Sequence, residues 1–297
     1  MTTPAVRALI VSALLTAPTA FAAETPPAAE ETKPDAAKSD PAEPVAEAKN
    51  EESEVEAPPE VEVHGQFGFG LRIFLDRPTP RERWKFEQYG EVPSGFYLQD
   101  AFVEAVTDDG YVASFWAAHP GLNNQNFLFQ VADPGSLYLS LEWDQTPHLA
   151  STKAQTLYDI SNPGVITIPD TVQQDLQSGN DDERAATIAA NLRPVTVNVD
   201  RDTAKLGFRY TPAPEWNIKV DYSHEERNGR QIFGAPINEF NAIETLAPIF
   251  YTTQNFSANV EYVGKWTEDK KFSLSAGYAG SLFENKYLSF VWDNPFR

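Results

Sequence analysis

Few residues in this sequence could support catalysis, and their spacing matches no familiar reactive site. The four histidines lie far apart, and no two have the His-x-x-x-His spacing of a helical metal site; they are His64, His119, His148 and His224. Acidic pairs such as Glu225-Glu226 are common on protein surfaces and indicate catalysis only where a cleft holds them. The sequence contains no cysteine, which excludes disulfides, thiolate metal sites and covalently attached c-type haem. We therefore predict a protein that is not an enzyme and binds no catalytic group, metal or cofactor of its own.

The elements that carry the remaining polar residues are alternating strands. Three segments, 205–210, 216–223 and 256–262, alternate apolar with polar side chains at a period of two. This period places the apolar side chains of each strand on one face and the polar side chains on the other. Aromatic residues lie at the ends of the apolar faces, as in transmembrane β-barrels, which are apolar outside and polar inside.

The first 62 residues indicate export. Residues 1–22 have one positive charge, a short apolar run and the small-x-small sequence Ala20-Phe21-Ala22, which together predict a cleaved signal peptide. Residues 23–62 are rich in Pro, Ala and Glu and contain no aromatic residue, so we predict a disordered periplasmic tail. Between Glu24 and Glu62 there are 13 acidic and 3 basic residues, which supply half of the formal charge of −20. This acidity argues against a nucleic-acid partner.

Residues 63–297 are predicted to belong to an antiparallel outer-membrane β-barrel, an all-β fold. No stretch approaches 18 consecutive apolar residues, so helical membrane spans are not expected. Alternation and turn residues predict nine strands, at 63–75, 96–106, 111–118, 126–132, 136–144, 202–211, 215–224, 250–263 and 271–282.

The predicted connections alternate between short and long. The short ones are 107–110, 133–135, 211–214 and 265–270; the long ones are 76–95, 119–125, 145–201 and 225–249. Bacterial barrels have short periplasmic turns and long extracellular loops, which fixes the expected orientation. A helix is expected to begin near Asp181-Asp182-Glu183, in the longest loop. Because nine is odd and single-chain bacterial barrels have even strand numbers, the chain is expected to be the N-terminal part of a longer barrel; a miscount by one is the alternative.

The polar faces of the predicted strands are expected to line the lumen. The residues concerned are Lys205, Arg209, Asn217, Lys219, Asp221, Asn259 and Glu261. They could hydrate a water-filled pore or contact a partner inside the barrel, and the sequence favours neither.

Three segments resemble the MtrB/PioB family of outer-membrane proteins. The first runs from Trp143, Asp144, Pro147 and His148 to Tyr158. The second is 277–285 with Asp293, Asn294, Pro295 and Phe296, and the third is 85–90. The resemblance covers most of residues 63–297. Some members carry an N-terminal Cys-x-x-Cys, which this chain lacks, and the family's barrels are longer.

The resemblance implies a many-stranded outer-membrane barrel that sheaths a periplasmic multihaem c-type cytochrome. Such an assembly conducts electrons across the membrane, in metal reduction or iron oxidation, and the haem belongs to the cytochrome. The lipid bilayer and, as a further candidate, an extracellular multihaem cytochrome are the other implied partners. Two alternatives stay open: a general or substrate-specific diffusion porin, and a secreted soluble β-sandwich that binds a ligand.

Overall fold

The computed structural model describes residues 8–15, 60–76, 79, 82–162, 164–237 and 242–296. Twelve strands and two α-helices occur in this part of the chain, besides a short 3₁₀ turn at Arg83–Lys85. The strands are β1 (Ala8–Leu15), β2 (Val61–Phe74), β3 (Gly95–Thr107), β4 (Val112–Ala118), β5 (Asn126–Asp133), β6 (Leu137–Thr156), β7 (Val165–Ile166), β8 (Arg193–Tyr210), β9 (Trp216–Pro236), β10 (Ala242–Thr267), β11 (Lys270–Asn285) and β12 (Val291–Trp292). The helices are α1 (Asp170–Ser178) and α2 (Asp181–Asn191).

The main sheet is an antiparallel meander of ten strands. Its order is β1-β2-β3-β4-β5-β6-β8-β9-β10-β11, so every strand pairs with its neighbours in the sequence. The nine strands from β2 to β11 correspond one for one to the nine predicted strands. The sheet is open: among the described residues, β11 pairs with β10 alone.

Strand β1 lies within the predicted signal peptide. It pairs antiparallel with β2 from Ala8↔Phe74 to Leu15↔Phe67. An edge strand presents unpaired N–H and C=O groups, and any adjacent extended segment can satisfy them. Cleavage after Ala22 would remove this pairing and expose the edge of β2. The predicted tail lies outside the described residues except for 60–62, and Val61 and Glu62 already belong to β2.

Tight turns join the strands at one end of the sheet, here called the turn end. They occupy residues 108–111, 134–136, 211–215 and 268–269. Gly110 and Gly135 have φ angles of 89° and 91°, a left-handed conformation that glycine adopts without a steric penalty. Every short connection predicted from the sequence lies at this end.

The strands rise to very different heights at the opposite end, here called the far end. β4 and β5 contain 7 and 8 residues, whereas β6, β9 and β10 contain 20, 21 and 26. The predicted loop 225–249 is therefore wrong, because most of it is the paired upper part of β9 and β10. The predicted loop 145–201 is also too long, since β6 and β8 remain paired up to Thr156↔Arg193.

Residues 157–192 and 286–296 fold together at the far end into a small unit, here called the cap. Its core consists of Tyr158, Ile166, Ile168, Val172 and Leu176, which are buried. Strand β7 pairs in parallel with β12, which joins the two segments of the cap. Helix α2 begins where the sequence predicted a helix. Asn180 caps it and forms a capping box with Glu183.

The cap packs against the upper part of the β9–β10 hairpin. The Phe233 ring lies 5.3 Å from the Phe290 ring and 6.0 Å from the Trp292 ring, measured between centroids. Arg230 donates a hydrogen bond to the Ile160 carbonyl. Strands β8 and β9 are paired only up to Val199↔Gly229. Above that point the sheet divides into two hairpins, β6–β8 and β9–β10, and the cap contacts the second.

Candidate functional site

The strand register places the seven polar residues predicted for the lumen on one face of the sheet. Lys219 pairs with Arg209 on one side and with Asn259 on the other. Asn217 pairs with Glu261 in the same orientation. Directly paired residues in an antiparallel sheet project to the same face, and residues two apart along a strand do so too. Lys205 and Asp221 therefore share this face, here called the polar face.

Charges and amides on the polar face from β6 to β11 are paired with one another. Lys205 Nζ lies 3.0 Å from Glu142 Oε1, and Lys219 Nζ lies 3.3 Å from Asp221 Oδ2. Arg209 donates to Asn217, with Nε and Oδ1 2.9 Å apart. Similar cross-strand hydrogen bonds run from Ser257 to Asp221, from Ser273 to Glu261 and from Ser275 to Asn259. The side chains named here satisfy one another's polar groups and remain open to water.

Small residues form a shallow groove across the same strands. One cross-strand row consists of Ser140, Gly207, Asp221, Ser257 and Ala279, and the next consists of Glu142, Lys205, Ser223, Asn255 and Ser281. The groove that these rows line has a volume of about 640 Å³. Sequence reasoning missed the groove, although the small residues that alternate through β11 are visible in the sequence.

The opposite face is apolar over three successive rows, and a fourth row contains the first polar residues. Near the turn end Tyr210, Ile218 and Val260 form one row, followed by Phe208-Val220-Ala258, then Leu206-Tyr222-Phe256. The last row is Trp143-Ala204-His224-Gln254, where polar residues begin. The strand length from Trp216 to His224 agrees with the 9–11 tilted residues that cross a bilayer.

Aromatic rings and polar groups mark the two borders of this apolar band. At the turn end the Trp216 and Tyr262 rings lie 4.8 Å apart, and Phe272 lies 5.9 Å from Tyr262. Aromatic side chains prefer the interface between hydrocarbon and water. At the far end the next row consists of Gln145, Asp202, Glu226, Thr252 and Glu284, all of them polar. Above this row the outward face is no longer suited to hydrocarbon.

The motif residues of β6 occupy both faces of the strand. Trp143 lies at the upper border of the apolar band, and Asp144, on the polar face, accepts a hydrogen bond from Asn126 at 3.0 Å. The rings of His148 and Tyr89 stack with centroids 5.0 Å apart. Pro147 lies beyond the end of β5, so its missing N–H interrupts no hydrogen bond to that strand.

The remaining motif residues meet in the cap. Tyr158 Oη donates to the Asp293 carbonyl at 3.0 Å, and Asp293 Oδ2 accepts from the Ile168 amide at 2.8 Å. Asn294 accepts from Gln173 through its carbonyl and from the Phe296 amide through its side chain. Pro295 lies between Asn294 and Phe296 in the sequence. Two of the three segments that carry the resemblance are thus in direct contact, through Tyr158 and Asp293, which are 135 residues apart in the sequence.

Burial within the cap raises the pKa of Tyr158 to about 12, and the nearby Asp293 carboxylate acts in the same direction. The phenol therefore stays protonated and keeps its donor hydrogen throughout the physiological range. In the part of the chain that the structure describes, no three His, Asp or Glu side chains are grouped closely enough to hold a metal ion. No helix among the described residues is both long and apolar enough to cross a membrane.

Antiparallel strands with tight turns at one end, one apolar face edged by aromatic rings and one polar face define the wall of an outer-membrane β-barrel. The chain matches the family described as outer membrane beta-barrel porin, MtrB/PioB, over residues 81–297. It belongs to the MtrB/PioB family, which confirms the resemblance and the predicted fold class, and sets aside the soluble β-sandwich. No curated protein matches the chain.

Proposed function

We propose that this chain forms part of the outer-membrane sheath around a periplasmic multihaem c-type cytochrome, in a conduit for electron transfer across the membrane. In this proposal the signal peptide exports the chain, the tight turns and the acidic tail lie in the periplasm, and the cap lies outside the cell. The apolar band contacts lipid and the polar face lines the lumen. The chain itself is not an enzyme, and the haem belongs to the partner.

The observation that carries the proposal is the width of the wall. Nine strands from β2 to β11 pair in succession, and within the described ranges the last does not return to the first. The diameter of a barrel grows with its strand number, and barrels of about 22 strands can hold a plug. In this proposal the wall belongs to a barrel of that size, whose lumen can enclose a folded protein.

The chemistry of the wall is consistent with enclosure. Lys205 and Lys219 form ion pairs within the wall, so a partner can approach them without leaving either charge unpaired. The groove of small residues leaves room for side chains from a partner. A haem chain exposed to hydrocarbon would lose the partners of its polar groups, at several kcal/mol each, and a polar wall removes this cost.

A diffusion porin is the second candidate. The same self-paired polar face would serve a water-filled pore equally well, and the family description names a porin. Both functions need the same fold and the same orientation. They differ in what fills the lumen.

The test is to purify the tagged protein from its natural outer membrane in mild detergent and to measure haem absorbance in the product. We expect a c-type spectrum at a fixed ratio to the barrel. In vesicles, the purified complex should reduce an external acceptor from an enclosed donor without releasing small solutes. A haem-free product that releases small solutes would overturn the sheath and establish the porin.

A further inference from the structure

An apolar patch interrupts the polar face on the shorter strands of the sheet. Phe102 of β3 pairs with Trp116 of β4, which pairs with Leu128 of β5. The row continues to Gln66 on one side and to Glu142 on the other, so the three apolar residues lie on the polar face. Trp116 is 39% exposed. From the sequence, no orientation was predicted for these three residues.

Trp116 belongs to the polar face although its neighbours point the other way. Phe115 pairs with Phe129, and their side chains belong to the apolar band. An outward-facing aromatic is accounted for by lipid, whereas a barrel interior is normally polar. Three adjoining apolar side chains on the interior face form a patch that water solvates poorly, and such patches mark contact sites.

The charges around the patch differ from those on the rest of the polar face. Asp100 and Glu104 lie in the rows directly beside Phe102, and neither forms a hydrogen bond or an ion pair with another described residue. The strands from β2 to β5 contain no lysine and one arginine, Arg72, which lies over the ring of Tyr97. His64 is the cross-strand neighbour of Glu104, and its Nε2 lies 3.3 Å from Glu62 Oε1. The wall around the patch therefore carries two acidic side chains without a hydrogen-bond or ion-pair partner. Farther along the polar face, acidic and basic side chains form ion pairs such as Lys205–Glu142.

We infer that Phe102, Trp116 and Leu128 form the contact point for a protein inserted in the lumen, one whose matching surface is apolar and bordered by Lys or Arg. The carboxylates of Asp100 and Glu104 favour positive charge at the border of the partner's surface, since opposite charges across an interface favour one partner and one orientation. Exposed Trp beside apolar neighbours is the residue most often found at the energetic centre of an interface. The acidic tail of this chain has the wrong charge for this patch. The inference rests on the proposed function, because it assumes that the lumen is occupied.

The test uses the full natural protein in its own outer membrane, with Trp116→benzoylphenylalanine as a photo-cross-linking variant. Phe115→benzoylphenylalanine, on the neighbouring residue and the opposite face, is the matched control. We expect a haem-staining cross-linked product from position 116 and none from position 115. Heat-modifiable migration establishes that both variants fold.

Charge reversal provides a second readout. Glu104→Lys should reduce the haem protein retained per barrel by at least about tenfold, because it places a positive charge opposite the Lys or Arg border of the partner. Glu268→Lys, the same change of charge in the β10–β11 turn, should retain it fully.

The outcomes separate the inference from the proposed function. A wild-type barrel that retains haem, with no product from position 116 and equal retention in the two lysine variants, would overturn the contact point and leave the sheath standing. A cross-link from position 116 to the protein's own tail would also overturn it. A wild-type barrel that never retains haem would remove the sheath and the contact point together.

Discussion

Arginine at Val220 should strongly destabilise the protein in the membrane. Val220 lies in the row Phe208-Val220-Ala258, between the aromatic border at Trp216 and the polar row that begins beyond His224. This position is near the middle of the apolar band, where an arginine on the lipid face costs about 2–4 kcal/mol. At about 1.4 kcal/mol for each factor of ten, the ratio of folded to unfolded protein should fall by about 30- to 1000-fold.

The control is arginine on the other face of the same strand. Lys219→Arg keeps the charge and the position next to Asp221, so we expect little change in stability. A second matched pair lies on β10: Ala258→Arg faces lipid, whereas Ser257→Arg faces the polar side and gains Asp221 as a partner. Ala258→Arg should therefore resemble Val220→Arg, and Ser257→Arg should resemble the wild type.

The assay is the urea concentration that extracts or unfolds each variant in isolated outer membranes, followed by heat-modifiable migration. A lower midpoint at an unchanged slope reports a change in stability alone. If arginine is tolerated equally at 219 and 220, or at 257 and 258, the assignment of the faces is wrong, and with it the lumen-facing role of the seven polar residues.

Three further predictions concern the far end and the tail. Gly229→Ala should cost about 1–3 kcal/mol, since Gly229 has a φ of 150° and an added Cβ would clash with the Asn198 carbonyl oxygen. Gly234→Ala, with open space around it, should be nearly neutral in the same urea assay, and equal effects would refute the close approach. Tyr158→Phe should cost about 0.5–1.5 kcal/mol and increase hydrogen exchange in the cap. Because the folded pKa of Tyr158 is about 12 and the unfolded value about 10, the wild-type cap should lose stability as the pH rises from about 10 through 12, and the Phe variant should lack this dependence; a cap equally stable across that range would contradict it. Protease added to intact cells should cut within 157–192 and spare 24–59; cleavage of the tail from outside would invert the orientation.

The sequence predicted the membrane-spanning part of the fold because lipid imposes a pattern there. Each residue from Trp216 to Tyr222 must suit either hydrocarbon or the polar interior, so the period of two is complete and the strand was found. Beyond His224 both faces of β9 meet water, and the alternation disappears although the strand continues to Pro236. The pair Asn228-Gly229 is a typical turn sequence, yet it lies inside the strand, where Gly229 permits a close approach to β8.

The cap was only partly predictable. The helix start at Asp181 follows from local capping chemistry, which a sequence shows directly. The contact between Tyr158 and Asp293 joins segments that four long strands, β8 to β11, separate in the sequence, and no local pattern encodes such a distance. The patch around Trp116 was missed for another reason. An aromatic residue in an alternating strand is assigned to the lipid face by default, and only the register shows that Phe115 already occupies that face.

The height of the wall affects its electrical and diffusive properties. At about 3.3 Å per residue, the 26 residues of β10 extend roughly 85 Å, or roughly 60 Å along the membrane normal at a tilt of about 45°. The hydrocarbon core accounts for only about 30 Å of this. The wall reaches this height only at the long hairpins, because β4 and β5 contain 7 and 8 residues, so a water-filled channel would open sideways above the shorter strands. For an enclosed conductor, the same hairpins act as a one-sided screen beyond the bilayer: they shield the conductor from dissolved oxidants and reductants on the side of β9 and β10 and leave it accessible above β4 and β5.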